Sequence, residues 1–443
     1  LQKLTYRGIT FLYLPLAASW VLMLMEAPLV NAFLARGADP ELSLAAYGIA
    51  LSIILVVEAP ILMMLELSIA LSKDPAAFHK IRQFYVIVGL AITALGLLFY
   101  TPVCRLLLCD VMSIPPRIAE ASIPALRVFV WWPFPIGWRR IYQGILVNDG
   151  RTRIISVATG IRLVVLLAVM AAGQSLSAIP GATLGSAAML LAVVVESGII
   201  HWTARATLQG SLSRKSPSLQ PLTLRYLFLF YFPLAVTTVL RQGIRPVISA
   251  GIAAAPLAEL SLAAWPVAFS LASIFWGPTM GLQQVTIALT NDRDSWHTVS
   301  RFVLATGLAL TLGLALISFT PLLWVVLGRL FALSDTVAAL AAPAVRILVL
   351  LPLAYSFHAL FTGLLVKQAR TTSVRTAKVV NMGFVGLALY VGLAYAGLGG
   401  SVLGAIAISL GSVAEAIWLY WRSRSAIKLV DADALVETSP STT

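Results

Sequence analysis

The chain has 443 residues, 59% of them apolar and only 11% charged, with 31 Lys and Arg against 18 Asp and Glu. So little charge excludes a soluble globular domain and places most residues in a hydrocarbon environment. The net charge of +13 suits nucleic acid in principle, but the basic residues sit in short loops between apolar stretches, where membrane orientation accounts for them.

About 20 apolar residues cross a bilayer as a helix. Twelve such spans are read: 8–34, 42–71, 82–108, 121–147, 154–172, 181–204, 222–252, 260–289, 302–328, 338–366, 379–396 and 401–421. All are expected to be helical, because open strands leave backbone groups unpaired in lipid. No cleavable signal peptide is expected, since Lys3 and Arg7 lead into a stretch too long for one. Lys73, Lys80, Arg82, Arg151, Arg153, Arg205, Arg214, Lys215 and Arg225 follow even-numbered spans. Arg293, Lys367, Arg370, Arg375, Arg422, Arg424 and Lys428 continue that pattern, so both termini are expected to be cytoplasmic.

The chain is also a duplication. Glu41-Leu42-Ser43-Leu44-Ala45-Ala46 recurs as Glu259-Leu260-Ser261-Leu262-Ala263-Ala264, 218 residues later. The same offset pairs Pro28 with Pro246, Pro60 with Pro278, Asp74 with Asp292 and Gly89 with Gly307. With one inserted residue, an offset of 219 pairs Arg127 with Arg346, Pro133 with Pro352, Gly144 with Gly363 and Glu196 with Glu415. Six spans per half give two parallel repeats, with a transport site expected where they meet. The expected division is an N-terminal lobe 1–205, a cytoplasmic linker 206–221, a C-terminal lobe 222–430 and a disordered tail 431–443. Asp39, Pro40 and Glu41 read as a helix start, Pro40 in the first turn and Glu41 on the positive dipole end. Paired mid-span prolines are expected to bend equivalent helices.

Ionisable groups at membrane depth are costly and mark pathways, coupling sites or obligatory pairs. Here they are mostly basic. Arg127, Arg139, Arg140, Arg162, Arg241, Arg245 and Arg346 outnumber Glu26, Glu58, Glu66, Glu196 and Glu415, so an anionic ligand is expected. Arginine suits phosphate or carboxylate because its fork donates two parallel hydrogen bonds and stays charged on burial. Arg241 and Arg245 lie four apart on one helix face and have no basic counterparts in the first half, so they are candidate ligand residues, with Gln242 beside them. Arg127 and Arg346 are either ligand residues or inherited structural clamps. Asn31, Arg139 and His358 complete the candidate binding set. His358 stands where the first half has Arg139 and reads either as a packing residue or as a titrating one. Glu26 and Glu58 are candidate proton or sodium coupling sites, or counter-ions of the arginines. Arg162 and Glu196 read as a structural ion pair, and Glu415, facing Asn381 instead, as a hydrogen-bonded or protonated carboxyl. Trp131-Trp132-Pro133-Phe134-Pro135 is either a cavity wall or a lipid-facing anchor. Cys104 and Cys109 read as packed thiols in preference to a disulfide. No metal-ligand cluster and no phosphate-binding Gly-rich loop is visible, so no enzyme, cofactor or ATP-driven pump is expected.

The stretches Glu26 to Asn31, Leu44-Ala45-Ala46-Tyr47-Gly48, Gly144-Ile145-Leu146, Arg245-Pro246, Trp265-Pro266-Val267, and Arg346-Ile347 through Pro352 to Thr362-Gly363 carry a resemblance. The chain resembles the progressive ankylosis protein family, within the multidrug/oligosaccharidyl-lipid/polysaccharide (MOP) exporter superfamily, and differs from its pattern at His358, where arginine is expected. The resemblance implies a MATE-like, V-shaped rocker-switch exporter of polyvalent anions such as pyrophosphate, citrate or nucleotide phosphates. It implies binding roles for Glu26, Asn31, Arg245 and Arg346; H+ or Na+ coupling through Glu26 or Glu58, and a monomer, are further expectations. A bacterial inner membrane is the expected location. A flippase for a phosphate-headed lipid and a non-transporting scaffold are the alternative readings.

Overall fold

The computed structural model describes residues 5–149, 151–174, 179–212, 222–290, 292–368 and 371–437. Among them there is no strand. The helices in chain order are α1 (Tyr6–Leu24), α2 (Glu26–Leu34), α3 (Pro40–Leu62), α4 (Met64–Leu71), α5 (Pro75–Gly96), α6 (Val103–Arg105), α7 (Pro116–Phe129), α8 (Pro133–Asn148), α9 (Thr152–Gln174) and α10 (Gly181–Thr207). The second half gives α11 (Leu224–Ala253), α12 (Ala258–Trp276), α13 (Thr279–Leu289), α14 (Arg293–Ser318), α15 (Leu322–Val325), α16 (Asp335–Leu348), α17 (Leu351–Lys367), α18 (Thr371–Val391) and α19 (Gly400–Glu437).

Among the described residues, ten helical segments are long and apolar enough to cross a membrane. The other two expected spans are helical as well. Span 121–147 is divided between α7 and α8, and span 222–252 is α11, 30 residues long with Arg225, Arg241 and Arg245 along it. The chain is an all-α, multi-pass integral membrane protein. α19 continues to Glu437, so the tail expected to be disordered is helical over 431–437, and 438–443 lies outside the described residues. The linker expected at 206–221 begins as helix, α10 to Thr207 and a π-turn over Leu208–Leu212; its remainder, with Arg214 and Lys215, lies outside the described residues, as does Arg370.

Prolines explain most breaks. A proline ring clashes with the carbonyl four residues back and lacks the N–H of a helix interior. α1 stops at Leu24, four before Pro28; α7 stops at Phe129, four before Pro133; α16 stops at Leu348, four before Pro352. Pro133 and Pro352 then sit in the first turns of α8 and α17, where the missing donor costs nothing. The expectation of equal bends fails at one pair: Pro246 lies within the unbroken α11, whereas its partner Pro28 interrupts its span. Caps repeat more faithfully. Asp74 accepts from the Ala77 amide at 2.8 Å and Asp292 from the Ser295 amide at 2.8 Å, each opening the next long helix. Pro40 and Glu41 open α3 as expected, although Asp39 makes no cap bond and instead meets Arg117 at 3.2 Å.

The chain divides into two compact units, residues 29–254 and residues 1–28 with 255–443. This differs from the expected lobes 1–205 and 222–430 by an exchange of first helices. α1 buries Ile9, Tyr13 and Ala17 in a core with Leu282, Val285, Val299, Val303 and Leu364. Small residues let it approach: a Cβ on Gly277 would collide with Leu24 Cδ1, and one on Gly281 would lie 3.2 Å from Leu16 Cβ. α11, conversely, packs on α3 and α5 of the 29–254 unit, with Tyr231 edge-on to Phe84 at 5.4 Å. Apolar complementarity, not chain order, sets the boundary.

Inside each unit the duplication repeats its contacts. A Cβ on Gly144 would collide with Ser68 Oγ, and one on the matching Gly363 would meet Thr286 Cβ at 2.7 Å. These glycines let α8 lie against α4, and α17 against α13, closely enough to fix the frame that holds the charged side chains. Cys104 is buried, Cys109 is partly buried, and both are free thiols.

Candidate functional site: two repeat-related carboxylate clusters

In the 29–254 unit, Glu196 of α10 is fully buried. Its Oε2 accepts from Arg139 Nη1 of α8 at 2.5 Å and from Arg162 Nη1 of α9 at 3.0 Å. Its Oε1 accepts from the Thr159 hydroxyl at 3.0 Å. Thr159 and Arg162 share a helix face because they are three apart. Burying a carboxylate is tolerated only when its lone pairs are met in this way. The expected Arg162–Glu196 pair is therefore present, and Arg139, read as a binding residue, shares the same oxygen.

The pairing leaves positive charge over. Arg139 and Arg162 are each 5% exposed, and they share one carboxylate. Arg140, half-buried beside them, adds a third guanidinium close enough to repel Arg139. Neither Arg139 Nε nor Arg140 Nε has a hydrogen-bond partner among the described residues.

The second unit carries the same cluster with altered chemistry. Glu415 of α19 is 2% exposed. Its Oε1 lies 3.1 Å from His358 Nε2 of α17 and 2.6 Å from Lys378 Nζ of α18. Its Oε2 accepts from Asn381 Nδ2 at 2.9 Å. His358, Lys378, Asn381 and Glu415 match Arg139, Thr159, Arg162 and Glu196 at the 219-residue offset. Glu415 thus has the hydrogen bond expected from Asn381, and two further partners. Lys378 and Thr159 were missed from sequence; their signal was the common three-residue spacing to Asn381 and Arg162, on helices followed by the two repeat-related glutamates.

The other candidate residues fall elsewhere. Arg127 and Arg346 end α7 and α16 and are exposed. Arg127 lies over the Tyr100 ring at 5.5 Å, and the Tyr100 hydroxyl donates to the Arg127 carbonyl at 3.0 Å. Arg346 Nε donates to the Ser318 carbonyl at 3.2 Å. Each thus has the local partner expected of a structural clamp. Trp131, 50% exposed, donates to Tyr100 at 3.4 Å, whereas Trp132 is buried; the tryptophan pair is half anchor, half core. Arg241 is exposed and Arg245 half-buried, one turn apart on α11 with Gln242 between them. α11 packs along α3, whose Glu58 is 2% exposed. Asn31, 2% exposed, sits in α2, which Glu26 opens.

A cavity of about 630 Å³ in the 29–254 unit is bordered by Arg36, Asp39, Ser43, Gly173 and Pro180; none of the candidate binding residues lines it. An apolar groove of about 370 Å³ runs between Leu353, Phe357 and Phe361 of α17 and Val413, Ile417 and Tyr420 of α19. Among the described residues no three His, Cys, Asp or Glu side chains are placed to hold a metal ion.

Residues 215–431 match the family model described as "Progressive ankylosis protein (ANKH)". Solved structures with the same fold include an inward-facing multidrug resistance MATE family transporter of the MOP superfamily, with 18% identity, 94% of this chain and 96% of that chain covered, and a TM-score of 0.72. Another is the lipid II flippase MurJ in an inward closed conformation, with 13% identity, coverage of 95% and 90%, and a TM-score of 0.68. A third is a MOP superfamily transporter from Pyrococcus furiosus Vc1 (DSM3638), described by the reverse polarity of its binding pocket, with 18% identity, coverage of 97% and 99%, and a TM-score of 0.60. As the resemblance in the sequence anticipated, the chain has the MATE-type fold of MOP-superfamily transporters and matches the progressive ankylosis protein family over residues 215–431.

Proposed function

We propose that the protein is a secondary active transporter that exports small polyvalent anions by rocker-switch alternating access. The supporting observation is the surplus of guanidinium: Arg139 and Arg162 share the single carboxylate of Glu196 and the half-buried Arg140 lies near Arg139, with the Nε donors of Arg139 and Arg140 lacking acceptors among the described residues. A buried donor without an acceptor costs about 1–3 kcal/mol, and a phosphate or carboxylate ligand removes that cost. Arg241 and Arg245, with Gln242 and Asn31, lie apart from that cluster on α11 and α2 and are proposed as further contacts for the anion. Pyrophosphate, citrate and other phosphorylated or carboxylated metabolites are the substrates of choice for such a surface. The relative described by the reversed polarity of its pocket fits this reading. Glu26 and Glu58 are proposed coupling groups for H+ or Na+, in a monomer of the bacterial inner membrane with both termini cytoplasmic.

A second reading, flipping of a phosphate-headed lipid, has its own support in the apolar groove between α17 and α19 and in the likeness to the lipid II flippase fold. A thermal-shift panel on detergent-purified protein separates the two. Ligands that bind the folded state raise its stability by mass action, about 2.7 kcal/mol at a hundred times Kd. Pyrophosphate, citrate and nucleotides are expected to stabilise the wild type and to lose that effect in Arg245→Ala and Arg140→Gln. Stabilisation by undecaprenyl phosphate alone would favour the flippase, and stabilisation by cationic drugs alone would overturn both.

A further inference from the structure

We propose that His358, Lys378 and Glu415 form a proton-binding site in the second unit, the titratable copy of the fixed charge cluster in the first. The inference stands apart from the anion reading. It follows from comparing two clusters whose backbone frame is repeated and whose donors are not.

In the first cluster every cation is an arginine, which does not lose its proton in proteins. Arg139, Arg162 and Glu196 therefore carry one net positive charge at any physiological pH. In the second cluster the arginine at position 139 is replaced by His358 and that at 162 by Asn381, while Lys378 replaces the neutral Thr159. Lys378 and Glu415 alone sum to zero, and a protonated His358 brings the cluster to the same single positive charge. Imidazole is the side chain whose ordinary titration, near pH 6.5, lies in the physiological range.

The geometry suits one exchangeable proton. His358 Nε2 lies 3.1 Å from Glu415 Oε1, the oxygen that Lys378 Nζ also approaches, at 2.6 Å. The Thr362 hydroxyl is 3.5 Å from the same ring nitrogen. Adding or removing the imidazole proton thus changes the charge directly beside a buried ion pair, where screening is weak. Other charged and titratable groups belong to the helices packed against α17. α13 has none. α12 has Glu259 in its first turn, and α14 has Arg293, Asp294, His297 and Arg301 in its first three turns. α18 adds Arg375 and Tyr390, α19 adds Tyr420, Arg422 and Arg424, and α17 itself has Lys367 and Tyr355, whose ring lies 6.3 Å from His358. Closer than these groups is Glu415, whose Oε1 is in ion-pair contact with the imidazole and, on its other side, with Lys378.

The test is 15N-histidine NMR of the full chain in lipid nanodiscs, titrated from pH 5 to 8. The chain has four histidines, and the His358 resonance is identified by its loss in His358→Arg, which installs the residue found at Arg139. The proposal predicts one reversible inflection for His358 within that window. It predicts that Glu415→Gln and Lys378→Thr displace the inflection in opposite directions, because one removes a negative and the other a positive neighbour. It also predicts that His358→Arg folds with wild-type stability at pH 5.5 and that its melting temperature loses the wild type's dependence on pH between 5.5 and 8. A His358 resonance unchanged across the window, or an inflection that neither neighbouring substitution moves, would overturn the proposal.

Discussion

At the scale of single residues, Glu196 holds the most charge in place. Its removal takes from the buried Arg139 and Arg162 the carboxylate they share, and breaking a buried pair in this way costs about 3–5 kcal/mol. Glu196→Ala is therefore expected to lower thermal stability sharply in detergent, while Thr159→Val, which removes one hydroxyl hydrogen bond to the carboxylate, costs less, about 1.5–3 kcal/mol. Equal effects of the two would contradict the shared-carboxylate geometry. Asp292 is the clearest pH-dependent group outside the spans. The Ser295 backbone amide, and then its hydroxyl, hold the Asp292 carboxyl below its ordinary value. A depressed carboxylate contributes stability that is present above the unfolded pKa, about 3.9, and lost as pH falls through the folded value. Between pH 6 and 2, Asp292→Asn is accordingly expected to melt below the wild type by a near-constant amount above about pH 5, and the gap is expected to close only as the pH falls below about 3.9 and through the lower folded value; Asp292→Ala costs about 1 kcal/mol more. Melting temperatures across that range check both. The sequence marked Asp74 and Asp292 only as repeat-related, although an Asp before a helical run is local chemistry, and it named a helix start at Asp39, which makes no cap bond. The Lys378 contact was not legible there, because its partner is 37 residues away on another helix and no local signal joins them.

At the scale of elements, the repeated glycines set how closely helices approach. Gly144→Val and Gly363→Val each drive a branched side chain into Ser68 or Thr286, and overpacking of this kind costs about 1–3 kcal/mol. Gly160 of α9 has open space where a Cβ would stand, with nothing within 4 Å, so Gly160→Ala is expected to hold or raise stability by about 0.5–1 kcal/mol. A melting series over the three variants checks the helix contacts: losses at 144 and 363 without a loss at 160 are the expected pattern, and equal effects at all three would contradict it. The helices themselves were legible from apolar length, and the breaks before Pro133 and Pro352 from the rule of four. Pro246 was not, since neighbouring helices can re-satisfy the group that a proline frees in a membrane helix.

At the scale of the whole molecule, the duplication made the fold readable, and it also misled. It predicted two parallel six-span halves and located Glu196 and Glu415, Arg139 and His358 as equivalents. It further suggested that each half packs as its own lobe, yet α1 packs with the second half's helices and α11 with the first half's. Sequence similarity records descent, whereas packing follows which apolar faces fit, here Ile9 and Tyr13 against Leu282 and Val299. The candidate binding set was legible as an excess of arginine and illegible as a site, because pairing within each unit decides which cations remain for a ligand. Arg139 turned out to share Glu196, and Arg127 and Arg346 to hold local partners.

The most direct test of the anion-export account is flux from proteoliposomes loaded with labelled pyrophosphate or citrate. The account predicts efflux well above protein-free vesicles, competition by the other polyanion, and loss of flux in Arg245→Ala with the protein still folded. Transport of a cationic dye with no anion flux would contradict it.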